Sequence, residues 1–402
     1  MTASQLPSSR YVVGLDLGTT NCAVAYVDTQ EQPRRIHTFF IPQIVAPGQI
    51  EARDTLPSFH YQPAIGEFPE GSTVLPWPTG RGPLGIEGLQ SASPIVGAGT
   101  AIRSEVGLTE VDPRESSRHL VGLFARDHGT FVPGRMVASA KSWLCHAGVD
   151  RTAELLPWQG AAEVEKLSPV TVSARYLQHA REAWNAHFPE HPLVDQDFVL
   201  TLPASFDEVA RELTVKAAKQ AGLTRIVLIE EPQAAFYAWI DKHAGNWSDL
   251  VSPGQKILVC DVGGGTTDLT LIRVARANDA AVQFHRVAVG DHLILGGDNC
   301  DLALAHHIEK RLQGDGRLEP RQWSLLVRSC RQLKEVLMSD NAPDKWTLTL
   351  PRGGSKVIGG SLQVSVTRAE VRELLVSGFF PEVALDAKPF TSQSGLQEFG
   401  LP

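Results

Sequence analysis

One local design occurs twice in this chain. VVGLDLGTTNCAVAYV at 12–27 and KILVCDVGGGTTDLTLIR at 256–273 each read as an apolar strand, an aspartate at its end, a Gly/Thr turn and a second strand. The two aspartates, Asp16 and Asp261, stand 245 positions apart. A chain that repeats such a unit is expected to fold as two related halves facing each other. Between the copies, DFVLTLP at 197–203 predicts a strand closed by Pro203. Ser205 with Glu208 has the spacing of a capping box, and Val209, Leu213, Ala217 and Ala221 keep helical spacing up to Gly222, which is placed to end the run. RIVLI at 225–229 predicts another strand, and Pro232 sits in the first turn of a following helix. Leu177, Ala180, Trp184 and Phe188 form an apolar stripe upstream, while 300–312 and 322–338 read as helices and 346–351 as a strand. Strands alternating with helices predict an α/β fold.

The chemistry is expected at the turns. A Gly/Thr turn between strands offers several backbone N–H groups at one point and lets a phosphate approach with no Cβ in the way. Gly263, Gly264 and Gly265 cost backbone entropy that a plain two-residue hairpin would not need. Paired with Gly18, Thr19 and Thr20, they suggest two turns gripping one polyphosphate. Asp16, Asp261 and Asp268 flank the turns, where carboxylates can hold a hydrated magnesium ion, largely through water. Neither a G-x-x-x-x-G-K-[ST] P-loop nor a G-x-G-x-x-G after the first strand is present, so the nucleotide is expected to be held another way.

Composition narrows the partners. With 37 Lys+Arg against 45 Asp+Glu, the 402-residue chain carries a formal charge of −8 and has no long basic run, which argues against nucleic acid or an acidic membrane face. No apolar stretch approaches the roughly 20 residues that span a bilayer, and MTASQLPSSR lacks the features of a secretory signal, so a cytoplasmic protein is expected. Five scattered cysteines contain no C-x-x-C pair and read as reduced thiols, and the neighbours His306 and His307 point in different directions on a helix. Residues 63–118, rich in Pro, Gly and Ser, read as a surface insertion or a partly disordered one. The last twenty residues give no clear terminal element, and the chain reads as a fragment stopping mid-fold.

Five ordered segments resemble the ATPase domain of the Hsp70 (DnaK-like) chaperones: GLDLGTTNCAVAYV at 14–27, TLPASFDEVAR at 201–211, IEEPQAAFYAW at 229–239, DVGGGTTDLTLI at 261–272 and LGGDNCDLAL at 295–304. The resemblance implies a two-lobed actin-like, ribonuclease H-like ATPase fold, with 1–245 as the first lobe and 246–402 as an incomplete second lobe. It implies ATP or ADP with Mg²⁺ in the cleft, slow hydrolysis, and a monomeric switch serving polypeptide clients and co-chaperones. Lys141 in VASAKSWL falls where the family carries a lysine that reaches the γ-phosphate and the attacking water. By the same resemblance Thr19, Thr20 and Asn21, with Gly263, Gly264, Gly265, Thr266 and Thr267, hold phosphate. Glu231 orients the water, and Asp268 or Asp16 takes its proton. Gly296 and Gly297 approach the nucleotide, Lys334 lies along the adenosine, and Pro203 and Arg211 couple nucleotide state to a neighbouring domain.

Two departures bear on nucleotide affinity and base preference: Arg331 stands where the family usually has a glutamate, and Met338 where it has a small polar residue. No G-G-x-x-R-x-P adenosine loop follows the helix beginning near Thr367, since Gly353-Gly354 and Gly359-Gly360 precede it; weak ATP binding and impaired hydrolysis are expected. The peptide-binding domain of the family is also expected to be missing. An actin-like filament subunit would share the two turns without requiring Lys141 or Arg211, and a small-molecule kinase of the same fold is a further alternative.

Overall fold

The computed structural model describes residues 9–77, 119–146, 148–158, 160, 162–276, 282–290, 293, 295–314, 316–351 and 361–388. Of the expected insertion, 63–77 form turns ending at Trp77, which is buried against His179, and 78–118 lie outside the described residues. The glycine pairs at 353–354 and 359–360 and residues 389–402 lie outside them as well.

Both predicted hairpins are present. The first pairs Tyr11–Leu17 with Asn21–Asp28 and the second pairs Lys256–Val262 with Thr267–Arg276, both antiparallel. In the first, Tyr11, Val13, Leu15 and Leu17 alternate into the core, as period-two patterning requires. The first hairpin sits in a six-stranded sheet. Asp197–Leu202 pairs with Tyr11–Leu17 in parallel and Ile226–Glu230 continues beyond it, while His37–Phe39 and Thr55–Pro57 pair with Asn21–Asp28. Among the described residues the second hairpin gains Val282–Val289, giving a three-stranded sheet.

Two helices cover the larger sheet. Pro169–His187 starts cleanly because Ser168 Oγ accepts the Thr171 N–H at 3.1 Å and Pro169 has no N–H to satisfy. Its stripe of Leu177, Ala180 and Trp184 is buried, and the Trp184 indole donates to His191 O at 2.9 Å. Beside it lies Glu208–Gln220. Its cap is Asp207, whose Oδ1 accepts the Ala210 N–H at 2.7 Å, so the Ser205–Glu208 capping box does not form. Asp207 wins because it sits immediately before the first helical residue, where an oxygen reaches the N3 amide. Of the expected stripe, Leu213, Ala217 and Ala221 are buried, joined by Ala210 and Ala218, while Val209 is exposed. Gly222 follows the helix at φ +80°, as a terminating glycine should.

A second core lies further along the chain. Helices Gly297–Gln313 and Pro320–Leu337 pack together and onto the hairpin of Lys345–Pro351 with Ser361–Thr367, around Ile308, Leu326, Leu333 and Val366. No helix among the described residues is long and apolar enough to cross a membrane.

Candidate functional site

The tips of the two hairpins meet. A Cβ on Gly264 would overlap Thr20 Oγ1, and one on Gly265 would lie 2.8 Å from Thr19 Cγ2, so the second tip can touch the first only because it is glycine. A third glycine segment closes on the pair. The Gly297 N–H donates to Gly263 O at 3.0 Å and the Asp298 N–H to Gly264 O at 2.7 Å, and a Cβ on Gly296 would come within 2.5 Å of Gly264 O. Within the first tip, Ser58 Oγ donates to Gly18 O at 2.8 Å, and Asn21 opens the second strand opposite Pro57. Thr20 Oγ1 is buried with no hydrogen-bond partner among the described residues, an arrangement that suits an acceptor-rich ligand between the tips.

Charged groups gather around this junction. Lys141, on the short helix Ala140–Leu144, is buried; its Nζ pairs with Glu231 Oε1 and lies 6.0 Å from the centre of the Phe206 ring. Burial alone pulls the ammonium downward, but Glu231 and Asp16 outweigh it and hold Lys141 above its ordinary value. Glu231 is pushed up by burial and by Asp16 and Asp261, against the pull of Lys141. Asp261 is also raised, by burial first and then by Asp268 and Asp16. Glu231, Asp16 and Asp261 thus share one lysine. Asp16 accepts from Thr201 Oγ1 at 2.6 Å, and Asp268, 2% exposed and directly opposite Asp261 in the hairpin register, accepts from Ser205 Oγ.

This excess of negative charge fits a divalent cation. Among the described residues no group of three or more His, Cys, Asp or Glu is gathered tightly enough to ligate a metal directly. An ion held mostly through its own waters, as magnesium prefers, suits such spacing.

The remaining expected residues divide in two. Thr266 O accepts the Gly263 N–H at 2.8 Å, closing the second tip, whereas the Thr267 hydroxyl donates to Leu295 O at 2.6 Å and so ties the hairpin to the glycine segment. Lys334 reaches Asp301 at 2.7 Å and donates to Gly297 O at 2.8 Å, below the junction. Arg331 pairs with Asp298 and, at 2.9 Å, with Asp301, so the residue that departs from the family pattern is engaged by two carboxylates. Arg211 donates to Phe206 O at 3.2 Å and pairs with Glu230 at 3.0 Å; Glu230 also pairs with Arg286 on Val282–Val289. Pro203 opens the turn that Arg211 braces, with the Phe206 N–H bonded to Pro203 O at 3.2 Å.

A cavity of about 500 Å³ opens beside the junction, bordered by Thr19, Thr20, Ser139, Asp298, Arg331 and Glu335, among others. Lys141, Glu231 and Asp268 are not part of its wall. Ser139 holds a left-handed backbone at φ 54° and its Oγ reaches Asp298 Oδ2 at 3.4 Å, joining two distant segments beside the cavity.

Residues 126–397 match the family model described as Hsp70 protein. The chain belongs to the Hsp70 family. Its curated relatives include the proteins named Chaperone protein HscA homolog from Acinetobacter baumannii strains AYE, ACICU and AB0057. Each is 30% identical over 190 residues, which is 46% of this chain and 28% of the relative. The aligned part therefore spans under a third of those proteins. Hsp70-family membership implies an actin-like ATPase fold that takes ATP or ADP with Mg²⁺, and the mixed α/β arrangement of this Hsp70-family chain, with its several sheets, is consistent with that fold.

Sequence reasoning missed Thr201 and Ser205, the hydroxyls on Asp16 and Asp268, and also Glu230, Arg286 and Ser139. The first two stood inside a quoted motif, TLPASFDEVAR, but a contact to a carboxylate distant in the chain leaves no local spacing to read.

Proposed function

We propose that this chain is the nucleotide-binding, ATP-hydrolysing switch of an Hsp70-type chaperone, with 1–245 and 246–402 as its two lobes. The observation that supports it best is the contact of the two glycine-threonine tips, with the buried, unpartnered Thr20 hydroxyl between them. In this reading the triphosphate enters between the tips. Backbone N–H groups of Gly18 to Asn21 and Gly264 to Thr266 cradle its oxygens, Gly263 and Thr267, whose N–H groups bond within the protein, frame the second tip, and Gly296, Gly297 and Lys334 stand on the nucleoside side.

Lys141 faces the γ-phosphate and offsets the charge that develops on it. Glu231, beside Lys141, orients the attacking water. The water oxygen bonds to the γ-phosphorus and its proton passes to Asp268, with Asp16 as the other candidate acceptor. The bond to the bridging oxygen breaks, and the diphosphate leaves with the electron pair. Magnesium, held by Asp16, Asp261 and Asp268 through water, would neutralise phosphate charge when bound.

Closure of the lobes differs between the two nucleotide states, and Pro203 and Arg211 pass that difference to polypeptide clients and co-chaperones through neighbouring domains. The protein acts in the cytoplasm as a monomer. Replacing Lys141 by Ala should leave nucleotide binding by calorimetry within a few-fold of the parent. Single-turnover hydrolysis should fall by roughly 10²-fold or more. Unchanged turnover would remove Lys141 from the chemistry.

A further inference from the structure

The hydroxyl whose spacing suggested a helix cap points into the cleft instead. Asp207 caps Glu208–Gln220, and Ser205 Oγ donates to Asp268 Oδ1. Four residues earlier, Thr201 Oγ1 donates to Asp16 Oδ1. The stretch 201–205 therefore supplies one hydroxyl to an aspartate of each hairpin. The turn carrying Ser205 is braced on both sides: Arg211 donates to Ala204 O at 3.4 Å and to Phe206 O at 3.2 Å, and Phe206 is buried.

From this geometry we infer that Ser205 is a positioning residue for hydrolysis, and that it completes the proton acceptor across the junction of the two halves. The inference rests on the reading of Asp268 as that acceptor. Asp268 is almost fully buried and stands directly opposite Asp261 in the hairpin register. A hydroxyl donated to its carboxylate fixes the direction of the group. Asp268 belongs to the second hairpin and Ser205 to the strand and turn beside the first. The donor therefore reaches the carboxylate from the other half of the cleft, and the acceptor is aimed only while the two halves are in contact.

The test is single-turnover ATP hydrolysis by the whole chain with Mg²⁺ at neutral pH, for the parent and for Ser205→Ala, Ser205→Thr and Asp268→Asn. Ser205→Ala should slow hydrolysis about tenfold to a hundredfold, the scale of one hydrogen bond to a charged group, with nucleotide affinity unchanged. Ser205→Thr, which keeps the hydroxyl, should restore the rate. A parent-like rate for Ser205→Ala, or no recovery in Ser205→Thr, overturns the inference while an inactive Asp268→Asn leaves the base reading standing. Parent-like hydrolysis by Asp268→Asn removes the base reading and the inference with it.

Discussion

At the scale of single residues, three histidines of the first half carry a cost that surfaces in acid. His60 and His179 are buried, and His119 stacks on His60 with ring centres 5.2 Å apart. Arg175 Nη1 sits 2.7 Å from His60 Nε2. Burial, then His119 and Arg175, hold His60 well below its ordinary value. Burial with Arg175 and His179 pushes His119 down to about 3, and burial pushes His179 down to about 4. All three fold as neutral imidazoles. Because their folded values lie below the ordinary 6.5, the unfolded chain takes up protons first as pH falls. The stability these groups confer is complete above about pH 6.5 and drains away toward the folded values. Urea midpoints should accordingly decline between about pH 7 and 4.5, and His179→Gln should flatten the decline. A midpoint that holds level through that window would contradict this account. None of it was legible in the sequence, where the three histidines lie far apart and only the fold stacks two of them beside an arginine.

Elements were legible where their own period carried the information. The helices expected at 300–312 and 322–338 form as Gly297–Gln313 and Pro320–Leu337, because their apolar rows fix both existence and buried face. The strands of two or three residues between His37 and Ala138 and the short helix Leu123–Gly129 are too brief to show a period, and only tertiary pairing specifies them. Helix Glu208–Gln220 lies between these cases. Its existence followed from spacing, but two oxygens competed for its cap and the sequence pattern favoured Ser205. Thermal or urea unfolding can separate them. Asp207→Ala should cost about 1 kcal/mol, the usual worth of such a cap. An unchanged unfolding midpoint for Asp207→Ala would return the cap to Ser205 and weaken its assignment to the cleft.

For the whole molecule, the duplicated hairpin was the most informative feature, and it anticipated which distant segments share a cleft. Gly18 to Thr20 and Gly263 to Thr266 come into contact although some 245 residues separate them, and the first residues of Gly297–Gln313 bond to the second tip. What the repeat could not foretell is how unequal the halves are. The first hairpin is embedded in six strands and the second in three. It also gave no sign of the ionic ties between the halves, Glu230 to Arg286 and Asp127 to Arg328, because each joins surfaces that meet only after both cores have formed.

The proposal that both tips grip one triphosphate is tested most directly by amide hydrogen exchange on the whole chain, with and without ATP and Mg²⁺. Simultaneous slowing at Gly18 to Asn21 and at Gly264 to Thr266 is the predicted result. Slowing at one tip alone, or at neither while ATP demonstrably binds, would contradict it.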